Sequence, residues 1–222
     1  MKINVLVRSV SAGALFAFGL VSTQAAIVTD GSFEVPTTGG RYPYGNSLVY
    51  GPIHPNWSFS SSGAGLQRTG DGGTVFNEPT PGTLPDGSTH FVFLQMVGAT
   101  ISQLVDLPAE GTYRLTYWIA GRNSGDPSGG SLTYKVFLDA GLIAEDSTVD
   151  HQAWTLKSYE FAATAGTHTL KFEGVGTPPG RLADQSALLD AVGISAVPES
   201  STWVAGLATL LGAAGVVIRR KT

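Results

Sequence analysis

Cysteine is absent from the 222 residues of this chain, and charged residues make up only 14% of it. Without disulfides, a folded domain must be held together by its apolar core or by a metal ion. The net charge of −4 leaves no basic surface for nucleic acid. The composition therefore excludes two common classes, the disulfide scaffold and the nucleic-acid binder.

Common catalytic motifs are also missing: the sequence has no Gly-x-Ser-x-Gly, no His-Glu-x-x-His and no phosphate-binding loop. The four histidines, at positions 54, 90, 151 and 168, do not have the spacing of a metal site. Glu145 and Asp146 are adjacent, but neighbours on a strand point to opposite faces, so we expect turn and surface charges rather than a glycosidase pair. We predict that the chain is not an enzyme, although catalytic residues scattered over loops remain an alternative.

No helical periodicity of useful length occurs between the termini, whereas 29 glycines and 12 prolines favour short strands joined by turns. Apolar and polar residues alternate with the period of a half-buried strand. The predicted strands are 90–97, 100–107, 113–119, 133–138, 154–161, 167–172 and 187–195. Residues 36–88 are less regular, and we expect long loops there. The pattern predicts an all-β sandwich or barrel.

The N-terminal residues have the three parts of a secretory signal peptide. Lys2 and Arg8 precede an apolar stretch at 10–21, and small residues follow up to Ala26. We predict cleavage after Ala25, with cleavage after Ala26 as the alternative, so that residues 1–25 are removed. An uncleaved anchor is the other possibility, but the apolar stretch is short for one.

The C-terminal residues 197–222 combine a short motif, an apolar span and a basic end. The residues concerned are Val197, Pro198 and Glu199, then Trp203, then Arg219 and Arg220. The apolar span 203–218 is just below the roughly 17–25 residues of a membrane helix. The positive-inside rule places its basic end in the cytoplasm. The alternative is a buried helix of the domain, which the lack of a polar face disfavours.

This tail resembles the PEP-CTERM sorting signal of exopolysaccharide-producing Gram-negative bacteria. The resemblance implies export, temporary anchoring in the inner membrane, processing by an exosortase, and a final place at the cell surface or in the matrix. Ser200 stands where the family has its second motif proline. Whether the tail is cleaved is therefore open.

The domain between the two ends, residues 26–196, shows a second resemblance. Five segments carry it in order: Asp30–Pro36, Ile53–Trp57, Pro85–Gly87, Gly111–Tyr117 and Ser186–Val192. They resemble the galactose-binding-like jelly-roll domains, especially DUF642-type secreted proteins and related carbohydrate-binding modules. Asn56 departs from the glycine that usually precedes Trp57. The resemblance implies a jelly-roll β-sandwich that binds polysaccharide. We expect its first strand near Phe33 to lie close to its last strand near Leu189.

The same resemblance implies a structural calcium ion held by Glu34 and Asp190, completed by backbone carbonyls. Calcium takes six to eight oxygen ligands, so a mixed set of this kind suits it. In the alternative, Glu34 caps a turn and Asp190 accepts backbone hydrogen bonds without an ion. Both interpretations stay open at this stage.

Sugar-binding residues are expected on exposed aromatic surfaces. If Tyr113, Leu115, Tyr117 and Ile119 face the core, Trp118 and Arg114 on the same strand face outward. By the same alternation, Phe137 faces outward on its own strand. The alternative is that Trp118 is covered by a loop. The sequence thus predicts an exported carbohydrate-binding protein, with a structural matrix protein or an exopolysaccharide-modifying enzyme as alternatives.

Overall fold

The computed structural model describes residues 26–35, 48–60, 62–69, 83–123, 131–176 and 185–198. Within these ranges it contains eleven strands and no helix long and apolar enough to cross a membrane. The strands are β1 (Leu48–Tyr50), β2 (Ser58–Phe59), β3 (Ala64–Arg68), β4 (His90–Gln95), β5 (Thr100–Leu107), β6 (Gly111–Gly121), β7 (Thr133–Leu138), β8 (Gly141–Ser147), β9 (Thr155–Ala163), β10 (Gly166–Gly176) and β11 (Ser186–Ala196). The predicted signal peptide and membrane helix lie outside the described residues.

The strands form two antiparallel sheets, which confirms the all-β prediction. The six-stranded sheet has the order β1-β3-β4-β11-β6-β9, and the five-stranded sheet has the order β2-β5-β10-β7-β8. Consecutive strands frequently fall in different sheets, as β5 and β6 do. The chain therefore crosses repeatedly between two layers, as in a β-sandwich.

The main core lies between the two sheets and follows the alternation of the sequence. On β6, Tyr113, Leu115, Tyr117 and Ile119 are buried and belong to this core. The buried side chains of β10, including Phe172, meet them from the other sheet, with the rings of Tyr117 and Phe172 5.2 Å apart. Burial of large apolar side chains of this kind contributes roughly 1.5–3 kcal/mol each.

A second, smaller apolar cluster covers part of the outer face of the six-stranded sheet. Its buried members are Leu84, Phe91, Phe93, Ala120 and Leu188, and Tyr50 and Trp154 pack against it. The described residues form no such cluster on the outer face of the five-stranded sheet. As far as the described residues show, the two outer faces therefore differ.

Two local expectations were wrong, one at Phe33 and one at Glu145 and Asp146. The segment around Phe33 is a turn rather than a strand, since Asp30 and Phe33 have positive φ angles of 51° and 56°. The described part of residues 36–88 contains the short strands β1, β2 and β3, in keeping with the irregular structure expected there. Glu145 and Asp146 lie on β8 instead of in a turn.

Candidate functional site

An acidic cluster surrounds the middle of β11. Asp190 pairs with Trp118 of β6, just before the register shifts towards Gly193 and where Ala191 adopts a φ of 49°. This pairing places the Asp190 side chain on the side of the sheet opposite the main core. The residue is nevertheless completely buried, which is an unfavourable environment for an ionised carboxylate.

The pKa of Asp190 reflects this environment. Burial raises it from 3.8 to about 8, and the nearby carboxylates of Asp86 and Glu34 act in the same direction. Two hydrogen bonds oppose the shift: Ala191 N donates to Oδ1 over 2.7 Å, and Ser88 Oγ donates to Oδ2 over 3.4 Å. Among the described residues, no Lys or Arg stabilises the charged form of Asp190.

Glu34 is already engaged with the protein. Its Oε1 accepts hydrogen bonds from the backbone N–H groups of Thr89 and His90, each over 2.7 Å, and its Oε2 accepts one from Thr89 Oγ1 over 2.7 Å. Partial burial raises the pKa of Glu34, but these hydrogen bonds outweigh it and leave the pKa below its ordinary value. Glu34 therefore fastens the first described segment to the start of β4.

Asp86 is the member of the cluster that the sequence did not suggest. Its Oδ2 accepts a hydrogen bond from Ser32 Oγ over 2.5 Å, and its Oδ1 accepts one from Ser88 N over 2.9 Å. Partial burial raises its pKa, while these hydrogen bonds lower it, and the net shift is downward. Asp86 lies in the Pro85-Asp86-Gly87 turn, where an Asp is ordinary turn chemistry and gives no signal of a site.

Calcium would fit beside Asp190 and Asp86 better than beside Asp190 and Glu34. A bound cation would stabilise the ionised form of the buried Asp190 carboxylate. The hydroxyl groups of Ser32 and Ser88 lie nearby and could add oxygen ligands. Glu34 offers less, since four contacts with Thr89 and His90 already occupy its oxygens. No three Asp, Glu, His or Cys side chains of the described residues converge on one metal position. The Asp86 carboxylate also raises the pKa of Asp190 more than Glu34 does, so Asp190 with Asp86 is the better candidate pair.

The three predicted sugar-binding residues lie on two different surfaces. Trp118 is half-buried and Arg114 is exposed on the outer side of β6, where Arg114 forms an ion pair of 2.7 Å with Glu160. Phe137 is half-buried on the outer side of β7, in the other sheet. Trp118 and Phe137 are therefore not parts of one site.

A groove of about 390 Å³ lies at the β2 side of the five-stranded sheet. Its floor consists of outward-facing residues of β2, β5 and β10, namely Ser58, Ser102, Leu104 and Thr169, and its wall includes Thr29 and Asn56. Leu104 is 70% exposed, the highest value among the exposed large apolar residues of the described chain. The sequence did predict β5, but nothing in it showed that the 54–57 loop would stand beside that strand.

The wall of the groove is fixed by two buried polar side chains. Gln103 Nε2 donates to the carbonyl oxygens of Thr29 and Asn56, and Gln103 Oε1 accepts from Thr29 N. His54 Nδ1 accepts from the backbone N–H groups of Asn56 and Trp57, each over 3.2 Å. Both side chains thus hold the loops that form the groove wall.

Comparisons with known proteins give no family assignment. No protein-family model matches the chain, and no curated protein matches it. Similar solved structures include a family 35 carbohydrate binding module from Clostridium thermocellum, at 13% identity and a TM-score of 0.43, covering 64% of this chain and 92% of that one. The cleaved adhesin domain K1 of Lys-gingipain from Porphyromonas gingivalis has 16% identity and a TM-score of 0.44, covering 66% and 94%.

A third similar structure is the carbohydrate binding module of lichenase 5A from Cellvibrio mixtus, in complex with cellotriose. It has 20% identity and a TM-score of 0.38, covering 62% of this chain and 89% of that one. At these identities and TM-scores, we infer neither a family nor a function from the likeness.

Proposed function

We propose that this chain is an exported polysaccharide-binding protein that acts by binding rather than by catalysis. The observation that carries the proposal is the mixed apolar and polar character of the described residues on the outer face of the five-stranded sheet. There, Leu104 and Leu142 are exposed, and the Phe137 ring is half-buried beside Lys171. The same face carries the hydroxyl groups of Ser58, Ser102 and Thr169. Sugars combine apolar ring faces with many hydroxyl groups, and a surface of mixed apolar and hydrogen-bonding character suits them.

The two terminal segments give this function its location. The N-terminal segment would direct the chain out of the cytoplasm, and the 203–218 helix would hold it in the inner membrane until an exosortase-type enzyme removes the tail. The released domain would then belong to the cell surface or the extracellular matrix. One contact supports a boundary at this point: Val197 N still donates to Thr112 O over 2.9 Å, so the sorting motif begins where the sandwich ends.

Calcium has a structural role in this proposal. An ion beside Asp190 and Asp86 would neutralise their mutual repulsion and fasten the 84–90 segment to β11. It would also link the first described segment to the sheet through Ser32, which donates to Asp86. An ion of this kind stabilises the fold and does not touch the ligand.

Retention of the purified full chain by polysaccharides tests the function. If the protein binds a soluble polysaccharide, its mobility is reduced in a native gel that contains this polysaccharide. Albumin in the same gel is the control for non-specific effects on mobility. Release of reducing sugars from the polysaccharide would instead show the modifying enzyme. Unchanged mobility in every gel would contradict binding and favour the structural matrix protein.

Fractionation of the host cells tests the location. The proposal predicts the full-length form in the inner membrane and a shorter form outside it. If Ser200 hinders processing, the change Ser200→Pro increases the shorter form. Recovery of the wild-type chain only from the cytoplasm would contradict the proposal.

A further inference from the structure

One row of outward-facing side chains crosses the whole five-stranded sheet. Ser58 of β2 pairs with Ser102 of β5, Ser102 with Lys171 of β10, Lys171 with Phe137 of β7, and Phe137 with Leu142 of β8. Directly paired residues point to the same side of a sheet, and neighbouring strands lie about 4.8 Å apart, so the row extends over roughly 19 Å. We call these five residues the cross-strand row.

The chemistry of the cross-strand row changes from polar to apolar along its length. It begins with the two serine hydroxyls and ends with Leu142, which is 54% exposed. Between them, Lys171 Nζ lies 4.6 Å from the centre of the Phe137 ring and 2.6 Å from Glu173 Oε2. An ammonium group has three donors, so those not used by Glu173 are available beside the ring.

The groove opens at the serine end of this row. Ser58 and Ser102 are shared by the groove and the row, and Thr169, Leu104 and Asn56 line the groove with them. Gln103 fixes the groove wall from below, through hydrogen bonds of 2.7 and 3.1 Å to the carbonyls of Thr29 and Asn56. A wall held in place before binding reduces the entropy that is lost when a ligand binds.

The charge of this surface disfavours an acidic ligand. Its two lysines lie beside carboxylates: Lys171 beside Glu173, and Lys135 at 3.4 Å from Glu145. Asp106 adds a further carboxylate on the same side of β5. Between residues 26 and 197, the chain has eight Lys or Arg and sixteen Asp or Glu, a net charge of −8. Such a domain repels polyanions over distances up to the Debye length.

From these observations we infer that the cross-strand row and the groove together bind an uncharged polysaccharide chain, which lies across the strands from Ser58 to Leu142. The inference rests on the proposed function and names its site and ligand class. The groove accepts one sugar unit against its hydroxyl and amide groups. Lys171, Phe137 and Leu142 contact the following units through hydrogen bonds and apolar surface. A row of this length is built for several linked sugars rather than for a single one.

The test measures the mobility of the full chain, purified in mild detergent, in native gels with graded polysaccharide concentrations. The uncharged probes are mixed-linkage glucan, mannan and galactan, and the acidic probes are alginate and polygalacturonate. We expect retention by at least one uncharged probe and by neither acidic one. Retention by an acidic probe that Lys171→Gln abolishes would overturn the assignment of ligand class.

Single substitutions locate the site. Phe137→Ala and Ser102→Trp, which fills the groove, are each expected to weaken retention at least tenfold. Leu142→Ser changes an exposed side chain and is expected to weaken retention about threefold without unfolding the protein. Leu156→Ala is the matched control, because Leu156 is 52% exposed on the outer side of β9 in the other sheet.

The outcomes separate this inference from the proposed function. If the wild-type chain is retained but Ser102→Trp and Leu142→Ser are retained equally well, the cross-strand row is not the site, although the protein binds polysaccharide. Loss of retention on Trp118→Ala alone would move the site to the six-stranded sheet. If the wild-type chain is retained by no probe, both the inference and the proposed function fail.

Discussion

The carbonyl oxygen of Gly31 accepts a hydrogen bond from the backbone N–H of Val192 over 3.0 Å. This contact joins the first described segment to the last strand of the sandwich at the bulge of β11. The approach is so close that a Cβ atom on Gly31 would lie 1.9 Å from the carbonyl oxygen of Val192. The absence of a side chain at position 31 is therefore what lets the first described segment approach β11 so closely.

Gly31→Ala is expected to destabilise the protein by roughly 3 kcal/mol, because backbone must move to admit the new methyl group. Gly111→Ala is the matched control. A Cβ at Gly111 would meet no atom within 4 Å, so its stability should change by less than about 0.5 kcal/mol. Urea denaturation of the two variants measures the difference. Equal stabilities would show that the two segments do not pack in this way.

Asp190→Asn is expected to stabilise the protein in the absence of divalent cations. The folded-state pKa of Asp190, about 8, exceeds the ordinary 3.8, so the folded state binds more protons between these values. Stability from this group is therefore present at about pH 4 and is lost as pH rises towards 8, by about 1.4 kcal/mol per pH unit. The advantage of the asparagine variant over wild type should grow in the same window. Glu110→Gln, an exposed control, should show no such growth.

If calcium binds beside Asp190 and Asp86, wild type becomes more stable than Asp190→Asn when the ion is present. At a hundredfold excess over its Kd, an ion that binds only the folded state stabilises it by about 2.7 kcal/mol. Wild type should then melt at a higher temperature with calcium than with chelator, while Asp190→Asn and Asp86→Asn should lose most of the difference. Equal melting temperatures of wild type with calcium and with chelator would leave the cluster without an ion.

His54 is expected to make the fold sensitive to acid. Burial lowers its pKa below the ordinary 6.5, although Asp30 opposes the shift. Its Nε2 lies 3.1 Å from Asp30 Oδ2, in a direction that does not form a proper hydrogen bond. The stability from neutral His54 is present above about pH 6.5 and is lost as pH falls through the folded-state pKa.

His54→Asn tests this, since the amide oxygen can still accept the N–H groups of Asn56 and Trp57 but does not titrate. Chemical denaturation at pH 7 and pH 5 is expected to show a larger loss for wild type than for the variant. Because Asp190 acts with the opposite sign in this range, only the difference between the two proteins is informative. Identical losses would remove His54 from the account.

The sequence predicted the regular part of the fold well. The predicted strand 100–107 is observed as β5 (Thr100–Leu107). Strands β6, β7 and β10 also occur where apolar and polar residues alternate in the sequence. The alternation arises because one face of each strand packs on the main core. The two- and three-residue strands β2 and β1 are too short for a period to show, and β8 carries the adjacent acids Glu145 and Asp146, which suggested a turn.

The candidate sites were less predictable. The alternation on its strand predicts that Phe137 faces outward. Its neighbour Lys171 lies more than thirty residues later in the chain, and only the sheet register brings the two side chains together. Likewise, Asp86 looked like a turn residue, and its proximity to Asp190 depends on how the 84–90 segment lies over β11. Long-range register of this kind leaves no local pattern in a single sequence.

Binding of polysaccharide is the central claim, and isothermal titration of the purified full chain with a retained polysaccharide tests it most directly. The account predicts saturable heat with the wild type and with Leu156→Ala, and a loss of at least tenfold in affinity with Ser102→Trp. Calcium and chelator should change the melting temperature without changing this affinity. An absence of saturable heat with every uncharged and acidic polysaccharide offered would contradict the claim.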